Sequence, residues 1–528
     1  MNFNSLETFI TTAFLNSFCP MMNTPLLRIL LFLFAINSPR VSAQFIQTGN
    51  DIIGSSANDK AGWSLDLSGD GGYLVVGIPV YSENGIDAGA VKVFQLIDNE
   101  WIQTGSTLFG KQSGEWFGHS VSLSSDGLTL AVGAPFNNEN GSESGVVEVF
   151  RLHDGEWTQI GESIYGDESF SRLGWKTCLS HDGSILAISA PFQNLTQDET
   201  GKVRIYKLID DSWIQLGDDI NGEKNGDHFG LSISLSNDGN FIAIGAPMHN
   251  GNAFRSGLVR VYHFETGTWQ QYGNDIIGDF NSDYLGWSVS LSANGSMLAV
   301  GIPKFDVNNG NEGAVIVYSF SNGKWFKVGS PIFGEHKDEQ IGLTLELSAD
   351  GSSIVLGNPY KSNNTSDNGN VEIYQLHNNN WSKLENSISG TNEGDLFGWS
   401  VAITENLTSI AIGAPGYDEN EENIGLARTF SITPTGTKTI YARLQPNIIA
   451  FPNPASNTVT VLLEALGQKS GTLVISDQLG RTVLIQKLQA GQEVLDLDLA
   501  KNGMNTGVYQ VTVTTETQRL VKRLMVNR

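Results

Sequence analysis

The chain has 528 residues and only two cysteines, Cys19 and Cys178. A disulfide framework is excluded, so packing and hydrogen bonds must hold whatever fold forms. Positive charge is scarce: 31 Lys and Arg stand against 56 Asp and Glu, a formal net charge of −25. Such a surface repels nucleic acid and anionic lipid, which excludes nucleic acid as a partner. Long apolar runs are also missing. The one pronounced stretch, "LLRILLFLFAINSPRVSA", is unbroken only from Ile29 to Ile36, too short to span a bilayer, so the protein is not expected to be membrane-spanning. Its early arginine, apolar middle and Val41-Ser42-Ala43 end have the form of a secretory signal peptide, residues 1–43, cleaved after Ala43. Residues 1–20, ahead of Met21 and Met22, read as an upstream extension from a misplaced start. Motifs that carry chemistry are absent too: there is no His-Glu-x-x-His, Walker loop, Cys-x-x-Cys or Gly-x-Ser-x-Gly, and the eight histidines show no metal-ligand spacing.

What the chain does have is repetition. Gly-x-Pro or a near relative recurs at Gly77, Gly133, Ser189, Gly245, Gly301, Gly357 and Gly413, always 56 residues apart. A glycine after a mostly apolar residue keeps the same interval at Gly62, Gly118, Gly174, Gly230, Gly286, Gly342 and Gly398, and tryptophan does so at Trp101, Trp157, Trp213, Trp269, Trp325 and Trp381. Ten of the eleven tryptophans fall at two repeat positions, which assigns them to the scaffold. Each unit reads as four strands. "HSVSLS" alternates, an Asp-Gly turn follows, "LTLAVGAP" returns, "GVVEVFRL" is the third strand and "WTQIGESI" the fourth. Seven four-stranded units predict an all-β chain with a seven-bladed β-propeller over residues 44–432. "FIQTGNDIIG", from Phe45, matches a fourth strand without its first three, and the last unit, from Phe397, lacks one. The N-terminal strand is therefore expected to complete the seventh blade and close the ring. His119 shares its slot with Trp63, Trp175, Leu231, Trp287, Leu343 and Trp399, so it reads as packing rather than a proton relay.

The Phe117-Gly118 and Gly133-Ala-Pro135 spacing resembles the FG-GAP repeat of integrin-α-type propellers, over about 390 residues. Calcium-binding members of that family carry an Asp-x-Asp/Asn-x-Asp-Gly loop between the first two strands. Here the place holds "SSDGLT" and its equivalents, one carboxylate where several oxygens are needed, so no cofactor is expected and calcium at those hairpins is unsupported.

After Ile432 the repeat stops. Residues 433–447 read as a linker, and 448–528 as alternating apolar runs making about seven strands of a small β-sandwich. Charge changes with it: residues 434–528 hold ten basic and six acidic side chains, whereas 44–433 hold 19 and 49. "FPNPASN" at Phe451–Asn457, "DQLGRTV" at Asp477–Val483, "GVYQVTV" at Gly507–Val513 and the terminal "KRLMV" are similar to the C-terminal sorting domain of the type IX secretion system of Bacteroidetes. That resemblance implies engagement of the secretion machinery, passage across the outer membrane, and release or surface attachment after the tail is removed.

The loops after each Gly-x-Pro and before each recurring Gly vary while the strands hold, and both emerge on one face of a propeller. This variable face is the expected binding surface, its densest acidic patch being Asp418, Glu419, Glu421 and Glu422. The expected function is non-enzymatic binding or adhesion to an extracellular glycan or protein. The alternatives are a propeller hydrolase or lyase acting on polysaccharide, through carboxylates that only the fold would assemble, and a structural surface protein without a specific ligand.

Overall fold

The computed structural model describes residues 42–435, apart from 194–199, 309, 362–367 and 420. Beyond them it describes 449–526, apart from 452–457, 463–469, 478–480, 490–493, 500, 502 and 515–518. The expected signal segment up to residue 41 and most of the linker lie outside the described residues. Among the described residues every helix-or-strand element is a strand. The chain divides into two compact units, Met1–Pro434 and Thr435–Arg528.

The first unit opens with β1 (Ser42–Ile53). Blade one follows as β2 (Ser64–Leu67), β3 (Tyr73–Ile78), β4 (Ala90–Ile97), β5 (Glu100–Gln103) and β6 (Leu108–Phe109). They form an antiparallel sheet in the order β2-β3-β4-β5, with β6 also on β4. The β2–β3 turn is set by Asp70, whose Oδ1 accepts the Gly72 N–H at 2.8 Å and the Ser68 hydroxyl at 2.7 Å, with Gly71 at φ +76°. β3 is buried on both faces beyond Tyr73, because neighbouring blades cover it, and so reads as a continuous apolar run. Five more blades repeat this arrangement. Blade seven, Ser400–Ile403, Ser409–Ala414 and Leu426–Thr435, takes β1 as its outer strand, so the two ends of the ring meet in one sheet. β1 begins at Ser42, and Ala43 is 3% exposed with its carbonyl accepting the Asn386 Nδ2–H at 2.7 Å.

One element differs from expectation. In blades one to six the fourth strand is not continuous but split, here into β5 and β6, around a glycine that faces the next blade's tryptophan, whereas β1 runs unbroken through its Gly49. Gly105 lies in the gap at φ +72°, and a Cβ on it would stand 2.6 Å from Trp157 Cδ1. The same close approach joins Gly49 to Trp101, Gly161 to Trp213, Gly217 to Trp269, Gly273 to Trp325 and Gly329 to Trp381. Each indole N–H also donates across the seam. Trp157, Trp213, Trp269, Trp325 and Trp381 reach the carbonyls of Thr104, Ile160, Leu216, Tyr272 and Val328 at 2.8–3.2 Å, and Trp101 reaches the Thr429 hydroxyl at 2.8 Å. The two recurring glycines meet in the same seams: a Cβ on Gly133 would lie 2.2 Å from the Gly174 carbonyl of the next blade.

Around the channel the blades are tied backbone to backbone. The N–H of Gly69 donates to the Ser125 carbonyl, Ser125 to His181, His181 to Asn237, Asn237 to Ala293, Ala293 to Ala349, Ala349 to Glu405 and Glu405 back to Gly69, at 2.9–3.4 Å. The Ser400 hydroxyl donates to the Gly62 carbonyl at 2.7 Å, joining blade seven to blade one as Ser64 joins blade one to Gly118 of blade two. The ring closes, although no sheet runs continuously round it.

The second unit has a three-stranded sheet, ordered Ile449–Phe451, Thr458–Leu462, Val494–Asp498, and a four-stranded one, ordered Thr482–Leu488, Gly471–Asp477, Gly507–Thr514, Arg519–Val526. Alternate residues such as Val459, Val461, Leu473, Ile475, Val511 and Val513 form one core, which makes it a small sandwich.

Because the indole donates and packs at the same seam, Trp213→Phe is expected to cost about 1 kcal/mol for the lost hydrogen bond. Trp213→Ala is expected to cost about 3–5 kcal/mol for the cavity. Gly161→Ala, which leaves the indole and its acceptor chemically intact, should also destabilise by forcing the indole away. Denaturant titration of the three variants decides this; a neutral Gly161→Ala would refute the close approach.

Candidate functional site

The two sets of variable loops share one face, as the contacts between them show. In blade one the loop after β3 is bonded to the loop entering blade two: Gly114 N–H donates to Ile86 O at 2.8 Å, and Asn84 Nδ2–H to Gly110 O at 2.8 Å. The loops are organised by a carboxylate three residues before the recurring glycine. Asp59, Glu115, Asp227, Asp283, Glu339 and Asp395 fill this slot in six of seven blades, and all are at most 4% exposed. Asp59 Oδ2 accepts the N–H of Ser55 and of Ser56 at 2.8 Å, and Glu339 Oε2 those of Glu335 and His336 at 2.7 and 3.0 Å. A partner from the following loop completes three of these six sites: Asn137 for Glu115, His249 for Asp227 at 2.8 Å, Lys361 for Glu339 at 2.7 Å. Part of the acidity of this face is therefore internal scaffolding rather than solvated charge. An acidic residue at a fixed distance from six of the seven repeated glycines was the available signal for it.

The expected acidic patch lies on the blade-seven loop between Ala414 and Leu426, with Asp418, Glu419, Glu421 and Glu422 all exposed. Asp418 Oδ1 accepts the Asn423 N–H at 2.6 Å, Glu421 Oε2 accepts the Ala57 N–H at 2.6 Å, and the Glu422 carbonyl accepts the Asn58 N–H at 2.8 Å. The structure thus places all four on one loop and ties that loop to the entry of blade one. Among the described residues no three His, Cys, Asp or Glu are grouped so as to hold a metal ion. The hairpin aspartates are engaged in their turns, Asp126 Oδ1 accepting the Ser124 hydroxyl at 2.6 Å and the Leu128 N–H at 3.0 Å.

Sequence reasoning missed an aromatic surface. Two residues before each recurring glycine stand Lys60, Trp116, Arg172, His228, Tyr284, Gln340 and Leu396, and all seven have φ between +52° and +59°. None is glycine, so each holds a left-handed backbone that costs its residue about 1 kcal/mol or more. Trp116 packs on Phe136 at 5.0 Å between ring centroids, Trp175 on Phe192 at 5.0 Å and on His119 at 4.6 Å, and Trp63 on Trp399 at 5.0 Å. The Arg172 guanidinium lies 5.0 Å from the Phe136 ring and 4.7 Å from that of Phe192, while its Nε–H donates to Glu143 Oε2 at 2.8 Å. His119 is 7% exposed, and burial, aided by Lys176, brings its imidazole down to about 3, so it is neutral packing within this surface.

A cavity of about 200 Å³ occupies the central channel. Its wall repeats one interaction in six of the seven blades, in which a side chain of the first strand accepts a backbone N–H of the next blade. Asp66 takes Leu123 at 2.8 Å, Ser122 takes Leu179, Ser234 takes Leu291 and Ser290 takes Leu347, the last three at 3.0 Å; Cys178 and Glu346 engage Leu235 and Ile403. Ala402 has nothing to offer Leu67, whose N–H is taken instead by Asp66 Oδ1 at 2.8 Å. Asp66 thus uses one carboxylate oxygen for each neighbour. Burial raises its carboxyl to about 6, and burial together with the Asp66 charge pushes Glu346 well up. Burial pushes the Cys178 thiol to about 12, which leaves it unreactive.

Ring topology, seams and loop face define a seven-bladed β-propeller. Comparison with known proteins finds the FG-GAP repeat at residues 110–150 and 387–430, and a secretion system C-terminal sorting domain at residues 449–527. The chain carries both, and the sorting domain marks it for secretion or the outer surface in Bacteroidetes-type bacteria. Human integrin alpha-11 is 27% identical over 222 residues, which cover 39% of this chain and 18% of that protein. A crystal structure of a putative 6-phosphogluconolactonase from Bacteroides uniformis aligns at a TM-score of 0.45 and 12% identity, over 81% of this chain and all of the other; a likeness this weak transfers nothing.

The channel carboxylates give a signed pH dependence. Their native pKa values lie above the unfolded ones, so the native state holds protons that the unfolded chain gives up. That stabilisation is complete below about pH 4; for Asp66 it is lost as pH rises through about 6, and Glu346 shifts in the same direction. Glu346→Gln keeps an acceptor for Ile403 and removes the repulsion. It should raise stability at pH 8 by on the order of 1 kcal/mol and leave it unchanged at pH 4. Thermal melts at both values check this, and an equal shift at both would refute it.

Proposed function

We propose that the protein is a non-enzymatic binding or adhesion module working outside a Bacteroidetes-type cell, with its ligand, a glycan or a protein, on the variable face. The observation that carries this reading is the ring of seven left-handed positions. Their backbone is the same in every blade, while their side chains run through Lys, Trp, Arg, His, Tyr, Gln and Leu. A scaffold that keeps one strained conformation and varies the chemistry displayed on it is suited to recognition. The half-buried Trp63, Trp116, Trp175 and Trp399 provide ring faces for stacking, and the Arg172–Glu143 pair beside them provides directional hydrogen bonds. The exposed Asp418, Glu419, Glu421 and Glu422 add an acidic margin for a basic partner or a bridging cation. The channel carboxylates favour this reading over a hydrolase, because both Asp66 oxygens are already held by backbone N–H groups. Export follows from the sorting domain engaging its secretion machinery, with the 1–43 segment as the signal peptide.

The test is retention of the purified protein on immobilised polysaccharides and extracellular-matrix proteins, with calcium and then with EDTA. Saturable retention without product release is expected. Trp116→Ala combined with Trp175→Ala should weaken it about tenfold or more, on the order of 1.4 kcal/mol, without loss of fold. Loss on EDTA alone would place a cation on the Asp418–Glu422 loop. Shortened polysaccharide in the eluate would overturn the non-enzymatic reading.

A further inference from the structure

The repeat lets each blade serve as a control for the others, and one crevice breaks the pattern. In blades three and four the space against the preceding blade is filled by an arginine. Arg204 reaches Asp219 at 2.9 Å and Asp167 of the preceding loop at 3.0 Å. Arg260 reaches Asp275 at 2.8 Å and Glu223 at 2.6 Å. Arg428 does the same for blade seven, with Asp51 at 2.7 Å. Blades two and six invert the charge, Glu148 meeting Lys111 and Glu372 meeting Lys361 and Lys383.

In blade five the arginine slot is Ile316 and the intrablade acid is Pro331, while the acid of the preceding loop remains as Asp279. The buried loop carboxylate of this blade, Asp283, also loses its counterpart: where Asn137, His249 and Lys361 stand in other blades, blade five has Phe305. These substitutions leave a cavity of about 350 Å³ in the crevice between blades four and five. Asp279, Asp283, Ile316 and Tyr318 line it together with the three phenylalanines 280, 305 and 333. The Phe305 ring lies 5.8 Å from that of Phe280 and 5.6 Å from that of Phe333; Phe280 is 59% exposed and Phe333 40%. Asp283 is 4% exposed and, among the described residues, accepts a backbone N–H from Phe280, while Asp279 accepts an amide hydrogen bond from Asn252 at 3.2 Å. The remaining charged groups on this wall are Lys327 and Asp275, the latter held by Arg260.

We infer that this crevice is a binding site for an organic cation, an amine or guanidinium head on an apolar or aromatic body, with the head on Asp279 and Asp283 and the body against Phe280, Phe305 and Phe333. The guest restores the positive charge that the equivalent crevices build in, and the aromatic walls give it what the shorter Ile316 and Pro331 leave open. Burial, with the nearby charges of Asp306 and Asp279, holds the Asp283 carboxyl at about 6, the condition of an acid without its countercharge. The crevice is lined by loops of the variable face but shares no residue with the tryptophan surface around Arg172, so failure of binding here leaves the adhesion reading to its own test.

Isothermal titration of the full chain tests it with benzamidine, with its neutral isostere benzamide, and with a short peptide whose only cation is an arginine side chain. Benzamidine or the peptide should bind at least tenfold more tightly than benzamide. Binding by the free amidine indicates a small-molecule guest, and binding by the peptide alone indicates a protein side chain. Asp283→Asn should remove the preference for the cation. The double variant Ile316→Arg, Pro331→Asp should fill the crevice, raise the melting temperature and abolish binding. Equal binding of benzamidine and benzamide, no binding of either cation to folded protein, or undiminished binding in the filled variant would overturn the proposal.

Discussion

Everything in the propeller depends on the seam between adjacent blades. A blade is a small twisted sheet with two apolar faces, and it cannot bury either of them alone. Among the described residues no disulfide helps, and the seam is made from three repeated contacts. An indole packs into the gap left by a glycine and donates to a backbone carbonyl, two glycines bring neighbouring backbones together, and a turn N–H reaches the next blade's turn carbonyl. Because the last contact returns from Glu405 to Gly69, no blade is left with an open side. β1 completes the arrangement by giving blade seven its outer strand, so separating the chain ends means opening a sheet as well as a seam.

The strictness of the seam explains where variation is allowed. Positions within it are glycine, tryptophan or small polar residues in nearly every copy. Beyond it, on the loop face, the backbone is still held, by buried carboxylates such as Asp59 and Glu339, but the side chains that project are free to differ. Rigid support beneath variable chemistry is the condition under which a surface can recognise a ligand at low entropic cost. The same logic picks out blade five, where a slot that carries a salt bridge elsewhere holds Ile316 and Pro331 without loss of the blade itself.

Much of this was legible in the residues. The interval of 56 marked the blades, "FIQTGNDIIG" announced the closing strand, and the slot shared by His119 with tryptophan and leucine showed that histidine to be packing. The split of the fourth strand in six blades was not legible, and neither was the indole its glycine meets, which lies 52 residues further on in another sheet. Nor were the buried carboxylates: an acid in a loop reads as solvated unless one knows that backbone N–H groups turn inward to meet it. The Asp418–Glu422 patch could be read as a cluster, but not that Asp418 and Glu421 each accept a backbone N–H.

The sequence by itself determined the periodic features, namely seven blades, the places of turns and seams and the closing strand, and the sorting domain that follows them in the chain. Each is a local pattern repeated at constant spacing, and local patterns survive in one dimension. Tertiary structure alone decided what meets across the seams. Asp66 dividing its oxygens between Leu67 and Leu123, the aromatic surface around Arg172, and Asp279 and Asp283 lining one wall with Phe305 and Phe333 join residues from different blades or separate loops. The repeat places every slot, but only closing the ring brings the slots of neighbouring blades within reach of one another.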